Sequence, residues 1–150
     1  MRVASRVVLV AALCAAVVLS LEARAPGADA ELQFQLAELL YEETRFDEAR
    51  DAYRRASDAE DPALRMRARI GVVKTALLVG EFEDAQREAA SLKLDSPGNP
   101  EAMAVHADAL WSAGLFDESE REFRDALALA PEMSRGRHGL AKALASRSKL

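Results

Sequence analysis

One short phrase occurs three times in this chain, and its spacing limits the folds that the chain can adopt. A phenylalanine is followed by two acidic residues and one small residue at 46–49, 82–85 and 116–119. The first two copies are 36 residues apart and the last two are 34 residues apart. A period in this range is typical of stacked repeats, in which each unit buries its apolar face against its neighbours.

The repeated units agree at more positions than this phrase. Small residues recur at one register, where the chain has Ala37, Val73, Ala107 and Ala141. Pro97 and Pro131 close the second and third units at a common register. The pattern resembles the tetratricopeptide repeat, a helix pair with small residues at the helix crossing, an aromatic residue at the turn and a closing proline. The resemblance implies an all-α helical-hairpin solenoid of about three and a half repeats.

The residue types support helices independently of this resemblance. From residue 31 onward the good helix formers Ala, Leu, Glu and Arg predominate. Gly80 and Gly114 follow the first helix of a unit, where a left-handed cap favours glycine. The pattern predicts helices near 31–43, 47–59, 63–78, 82–93, 100–112, 117–129 and 134–147. It assigns the array to 31–150, with repeats near 30–65, 66–99 and 100–133 and a partial repeat at 134–150.

Residues 1–30 do not fit the repeat and are predicted to be a signal peptide or membrane anchor with a short linker. Two arginines precede an uncharged, apolar run at 7–21, which is the layout of an export signal. Neither Ala-x-Ala cleavage pattern, at 23–25 or at 28–30, is well placed, so a retained membrane helix through 7–21 stays open. Either alternative predicts an exported protein in the periplasm or another extracytoplasmic location, soluble if cleaved and membrane-anchored if not.

Charge and composition argue against several classes of function. The 20 basic and 25 acidic residues are interspersed, with a net charge of −5, whereas nucleic-acid binding requires clustered basic residues. The single cysteine, Cys14, excludes a disulfide framework within the chain. His106 falls in the register of apolar core residues, and no histidine has partners at metal-ligand spacing. We expect no catalytic residues, no metal, no cofactor and no enzymatic activity.

The resemblance also indicates where a partner would bind. Tetratricopeptide arrays usually bind on the concave face, which is lined by the first helix of each pair. The candidate groove residues at these positions are Phe34, Glu38, Tyr41, Ile70, Lys74, Leu77, Asp108, Trp111, His138 and Lys142. Exposed apolar rows in a groove are typical of interaction sites, although the same residues could simply pack neighbouring first helices together.

Two further rows on these helices alternate in charge. The rows are Glu31, Arg67, Glu101, Arg135 and Glu38, Lys74, Asp108, Lys142. Because first helices lie side by side, they predict two ladders of salt bridges that fix the stacking register. Members of the family that bind chaperone C-termini hold the carboxylate with basic and amide side chains. The corresponding positions, Phe34, Glu38, Gly71, Glu101 and Val105, show no positive cluster, so we do not expect that activity.

The sequence therefore predicts an interaction scaffold or adaptor that binds a peptide or helix of a protein partner in its concave groove. The alternative is the N-terminal recognition part of a longer exported enzyme or assembly protein, because the fourth unit stops where its second helix should start. The open end of that unit could also stack on a second copy of the chain.

Overall fold

The computed structural model describes residues 26–147, which form a row of helices connected by short turns. The helices are α1 (Pro26–Glu42), α2 (Phe46–Ala56), α3 (Pro62–Val79), α4 (Phe82–Asp95), α5 (Pro100–Ser112), α6 (Phe116–Leu129) and α7 (Ser134–Arg147). Each helix packs on the next one, and the first helices of successive pairs also touch, α1 on α3, α3 on α5 and α5 on α7. This arrangement confirms the all-α solenoid of helical hairpins.

Two first helices begin with the same N-terminal device. Asp61 precedes Pro62, and its carboxylate accepts from the backbone N–H groups of Ala63 and Leu64 at 3.1 and 3.3 Å. Asn99 precedes Pro100 and accepts from the next two free N–H groups at 2.9 and 3.1 Å. Capping satisfies donors that have no partner inside the helix, and proline at the first position loses no hydrogen bond. These two features fix where α3 and α5 begin.

A residue with positive φ follows the first helix of each of the first three pairs. Gly80 and Gly114 have φ of 82° and 78°, as the sequence predicted for a left-handed cap. The same register in the first pair holds Thr44, with φ of 60°. A β-branched residue pays a steric cost in this conformation that glycine avoids. The first turn is therefore held in place by its neighbours against the preference of its own side chain.

Substituting Thr44→Gly is expected to stabilise the protein by about 0.5–1 kcal/mol, because relief of the steric cost exceeds the extra flexibility of glycine in the unfolded chain. The melting temperature measured by circular dichroism should rise by a few degrees. The converse variant, Gly80→Thr, should lower it. Equal melting temperatures for Thr44→Gly and the parent would show that this turn is unstrained.

Between pairs, the core is filled by large side chains set opposite small ones. Tyr53 of α2 is 1% exposed and lies against Gly71 of α3, where an added Cβ would come within 2.5 Å of the ring. Phe123 of α6 covers Gly139 of α7 in the same way. At the junction between α4 and α5 the sizes are reversed. The small Ala89 stands at the position of Tyr53, the larger Val105 stands at the position of Gly71, and both belong to one buried cluster. The junctions thus divide the volume between facing helices in two opposite ways.

The N-terminal part of the prediction needs correction. The first helix begins at Pro26 rather than at residue 31, so part of the supposed linker belongs to the array, and Ala30 is buried in its core. No helix among residues 26–147 is long and apolar enough to cross a membrane. The segment 7–21, the basis for a signal or anchor, lies outside the described residues. The prediction of a preceding hydrophobic helix, with an exported or membrane-anchored location, is therefore wrong for what the structure describes, and we withdraw it.

The last described helix leaves one face uncovered. Ala37, Val73 and Ala107 are fully buried at the crossing of their helix pairs. Ala141 stands at the same register of α7 and is exposed, and Leu144 is 40% exposed. Stacking of this face on a second copy stays a prediction.

Candidate partner-binding groove

The structure places the candidate groove residues on four parallel first helices. Phe34, Glu38 and Tyr41 lie on α1, Ile70, Lys74 and Leu77 on α3, Asp108 and Trp111 on α5, and His138 and Lys142 on α7. Most of these side chains are half-buried, while Glu38 and His138 are exposed. Phe34 is different, because it is only 5% exposed and packs edge-on against Tyr53 at 5.7 Å between ring centroids. It supports the groove wall from inside.

Cations stacked on aromatic rings join α1 to α3. The guanidinium carbon of Arg67 stands 4.3 Å from the centre of the Phe34 ring. Two helical turns further along α3, Lys74 Nζ stands 4.6 Å from the centre of the Tyr41 ring. Such contacts contribute about 0.5–2 kcal/mol, with the higher values where the cation is desolvated. The sequence did not predict this arrangement, although the four residues stand at matched positions on α1 and α3.

Ion pairs join α5 to α7. Arg135 Nη1 lies 3.0 Å from Asp108 Oδ2, and its Nε lies 3.7 Å from Glu101 Oε2. Lys142 Nζ lies 3.3 Å from the other Asp108 oxygen and also stands 4.1 Å from the centre of the Trp111 ring. Asp108 is thus held between two cations on the neighbouring helix. Trp111 is fixed further by its indole N–H, which donates to Ser146 Oγ at 3.1 Å.

The two predicted salt-bridge ladders are therefore only partly formed. Their rungs are present between α5 and α7, but within residues 26–147 neither Arg67 nor Lys74 has a carboxylate within ion-pair distance. At the first junction Glu38 is occupied elsewhere, because the Tyr53 hydroxyl donates to it. The cations of α3, Arg67 and Lys74, thus stack on the aromatic rings of α1. The cations of α7, Arg135 and Lys142, pair with acidic side chains of α5.

The arrangement of helices was compared with known proteins. No family model matches the chain, and no curated protein matches it by sequence. Solved structures do match. The first TPR domain of Spaghetti (RPAP3), bound to the HSP90 peptide SRMEEVD, has a TM-score of 0.66 at 16% identity, covering 81% of this chain and 95% of that one. The Arabidopsis OM64 TPR domain has a TM-score of 0.67 at 17% identity, covering 83% and 99%.

The chain has the tetratricopeptide repeat fold. A third neighbour, the second TPR domain of human RPAP3 in complex with the HSP70 peptide SGPTIEEVD, has a TM-score of 0.66 at 19% identity and covers 79% of this chain and 97% of that one. The resemblance to tetratricopeptide repeats noted in the sequence is confirmed by these structures. At such identities the similarity establishes the fold, and the groove residues must be assessed on their own chemistry.

Two positions used to judge chaperone-tail binding do not face the tetratricopeptide groove. Gly71 packs under the ring of Tyr53, and Val105 is 1% exposed inside the core. Of the other positions in that comparison, Glu38 and Glu101 are on the groove side of their helices, and the buried Phe34 supports the groove wall from inside. The absence of basic residues at 71 and 105 therefore says nothing about the groove, whose cations come from other positions.

Lys74 is the electrostatically unusual residue of the groove. Burial lowers the pKa of its ammonium group, the nearby Arg135 lowers it further, and Glu38 acts in the opposite direction. Lys74 is half-buried on α3 and has Tyr41 on one side. The candidate groove thus contains a half-buried cation that has no carboxylate of the described residues within ion-pair distance.

Among residues 26–147, no group of three or more His, Cys, Asp or Glu side chains could hold a metal ion. His106 lies half-buried on α5 with its Nδ1 3.3 Å from Glu122 Oε1 on α6. Lys93 of α4 contacts the same carboxylate oxygen. This cluster joins α4, α5 and α6 on the side away from the candidate groove residues. We interpret it as a contact that stabilises the packing of these helices.

Proposed function

We propose that the protein is an interaction scaffold whose tetratricopeptide groove binds an acidic peptide segment or helix of a protein partner. The groove side is built from residues on α1, α3, α5 and α7, with Tyr41, Leu77 and Trp111 half-buried along it. Tyr and Trp side chains, such as those of Tyr41 and Trp111, are favoured anchors in protein interfaces, because they bury a large area.

The observation that carries the proposal is the state of Lys74. Lys74 is half-buried beside the Tyr41 ring, and no carboxylate within residues 26–147 lies within ion-pair distance of it. Burial lowers the pKa of its ammonium group. A carboxylate from a bound partner would pair with Lys74 and reduce its repulsion from Arg135. Charge-assisted hydrogen bonds of this type are roughly twice as strong as neutral ones.

The structural neighbours support an acidic ligand. Two of them were solved with the peptides SRMEEVD and SGPTIEEVD, each of which ends in Glu-Glu-Val-Asp. The similarity to those proteins lies in the fold, so these peptides serve here as probes of the chemistry.

The test is selection of a random peptide library on the immobilised full chain, followed by fluorescence anisotropy with the enriched peptides and with SRMEEVD. We expect enrichment of peptides that combine carboxylates with apolar residues. Lys74→Met should weaken their binding about tenfold, the loss of one charge-assisted contact of about 1.4 kcal/mol. Added salt should weaken binding to the parent more than to the variant.

The matched control is Arg121→Met, which removes a cation from α6, where the side chain is 70% exposed. This variant should bind like the parent. Enrichment of basic peptides, or equal effects of the Lys74 and Arg121 substitutions, would contradict the proposed acidic ligand. Failure of every peptide to bind would contradict the scaffold function itself.

A further inference from the structure

Leucines on α1 form a face that the described residues leave uncovered. Leu32, Leu36 and Leu39 are 47%, 40% and 60% exposed. Their spacing of four and three residues places them on one face of the helix, and we call them the leucine stripe. The positions equivalent to Leu32 and Leu39 are buried in the other first helices, at Ala68, Thr75, Ala102, Ala109, Gly136 and Ala143. The stripe is therefore an exposed version of a surface that the array buries at its internal junctions, where for example Leu127 of α6 lies against Gly136.

The other end of the described array has a second uncovered face, on α7. Arg137, Ala141 and Leu144 have the same spacing of four and three residues and are exposed, and we call them the C-terminal face. The equivalent positions of α5 are buried or half-buried, at Met103, Ala107 and Leu110. There the second helix α6 closes the face, and Ser119 of α6 donates a hydrogen bond to the backbone carbonyl of Ala107. In a continuous array, one second helix would touch the C-terminal face on one side and the leucine stripe of the next unit on the other, so the two faces point toward each other across a junction.

The two end helices also carry opposite charge. α1 contains four acidic residues and no basic one, whereas α7 contains four basic residues and no acidic one. Some of the cations of α7 are used within the chain, since Arg135 and Lys142 contact Asp108 and Arg137 contacts Glu132. On α1, by contrast, no carboxylate has a cation within ion-pair distance among residues 26–147. Opposite potentials steer association and fix its register, so the acidic α1 favours a basic surface such as α7 as its partner.

We propose that copies of this chain associate head to tail, with the leucine stripe of one copy packed on the C-terminal face of the next. The leucines would cover the small Ala141 and the apolar Leu144. Asp29 precedes the stripe by three residues and Arg137 precedes Ala141 by four, and both are exposed. If the two helices run parallel, as first helices do within the array, these opposite charges stand at the same end of the contact. Because the two surfaces differ, the contact is heterologous and extends into open chains unless its rotation closes a ring.

The first measurement is sedimentation equilibrium of the full chain with each surface blocked in turn. Leu36→Arg places a cation in the leucine stripe, and Ala141→Glu places a carboxylate in the C-terminal face. Both positions are exposed, so circular dichroism should show unchanged folding. The mass of the parent should rise beyond twice the chain mass as its concentration increases, and added salt should reduce it. Each variant alone should remain monomeric, whereas an equimolar mixture has one junction available and should stop at a dimer.

Every other pattern would overturn the proposal. A monomeric parent, or a monomeric mixture of the two variants, would show that the two faces do not associate. Dimers of Ala141→Glu alone would show that leucine stripes pair with each other, and association of both variants alone would place the contact elsewhere in the chain. The matched control is Leu94→Arg on α4, where the leucine is 80% exposed. This variant should associate like the parent, and an equal loss of association in it and in Leu36→Arg would also contradict the assigned contact.

A second measurement locates the contact by disulfide formation between copies. The parent is Cys14→Ser, so that no native thiol competes, and protein with Leu36→Cys is mixed with protein with Ala141→Cys under mild oxidation. The mixed dimer should form at least about tenfold faster than either homodimer, because docking raises the effective concentration of the two thiols. Replacing Leu36→Cys by Leu94→Cys should abolish this preference. Statistical proportions of mixed and like dimers, or the same preference with Leu94→Cys, would overturn the proposal.

Discussion

Substituting Gly71→Ala is expected to lower the free energy of unfolding by about 1–3 kcal/mol, the usual cost of forcing an extra methyl group into a packed core. In an ordinary helix this change is stabilising by about 0.5–1 kcal/mol, because alanine loses less conformational freedom on folding than glycine does. The sign reverses here because the new Cβ would lie 2.5 Å from the Tyr53 ring. Thermal and urea unfolding of the two proteins would measure the difference.

The Tyr53 ring has little room to yield. It is 1% exposed, it meets Phe34 at 5.7 Å between ring centroids, and its hydroxyl donates to Glu38. Burial, followed by the hydrogen bond to Glu38, raises the pKa of Tyr53 well above its ordinary value. The phenol group therefore stays neutral at the pH of the unfolding measurement.

The matched control is Gly27→Ala, on α1, where an added Cβ would meet nothing within 4 Å. This variant should be as stable as the parent or slightly more stable. A double variant can test the contact further by copying the junction between α4 and α5, where the small Ala89 faces the larger Val105. Tyr53→Ala with Gly71→Val should be more stable than the sum of the two single changes indicates. Similar behaviour of Gly71→Ala and Gly27→Ala would contradict the tight contact.

The second large effect is expected at the cluster that joins α4, α5 and α6. Substituting Glu122→Ala removes the carboxylate that His106 and Lys93 share. The Glu122 side chain is 15% exposed, whereas Lys93 is 37% exposed and can recover water. We therefore expect a loss of about 1–2 kcal/mol, toward the lower end of the range for hydrogen bonds to charged groups. Urea unfolding at neutral pH would measure it.

The contribution of Glu122 should also depend on pH. Burial alone would raise the pKa of Glu122, but the close approach of His106 and the hydrogen bond from Lys93 outweigh burial and hold the pKa below its ordinary value of 4.5. A carboxylate with a lowered pKa stabilises the folded state above its unfolded pKa, and the stabilisation is lost as the pH falls through the folded pKa. The stability difference between the parent and Glu122→Ala should therefore be largest near neutral pH and shrink below about 4.5.

Glu120→Ala is an unsuitable control because Glu120 is also buried. Glu118→Ala serves better, since this carboxylate on the same helix is 48% exposed and pairs only loosely with Arg121 at 3.7 Å. Its stability difference from the parent should be small and nearly constant with pH. A difference for Glu122→Ala that grows on acidification would contradict the assigned direction of the pKa.

The helices and their stacking could be predicted from the sequence because many positions repeat the same signal. The small residues at Ala37, Val73 and Ala107 are all fully buried at helix crossings, and the glycines at 80 and 114 take the left-handed conformation they were assigned. Such features depend on local sterics and recur in each unit. Errors at helix ends were small except at α1, where a proline was taken for part of a linker although it is a common first residue of a helix.

The groove was less predictable, because its contacts depend on which of several partners each long side chain chooses. Lys74 was expected to pair with Glu38 and Asp108, but the Tyr53 hydroxyl occupies Glu38, and Arg135 and Lys142 share Asp108. Charge alternation alone cannot show that competition. Arg67 and Arg135 were assigned to ladders and left out of the candidate binding residues, although Arg135 helps to determine the state of Lys74.

The alternation of large and small residues between pairs has a consequence for how such an array can evolve. Repeat proteins often gain units by tandem duplication, which works when every junction is alike. Duplicating α5 and α6 here would place Phe123 against Val105, where two large side chains compete for one space. Duplicating α3 and α4 would instead place Ala89 against Gly71 and leave a void. The order of the units is thus partly recorded in side-chain volume: a helix with glycine at this position needs a large ring on the helix before it, and the helix with Val105 needs a small residue there.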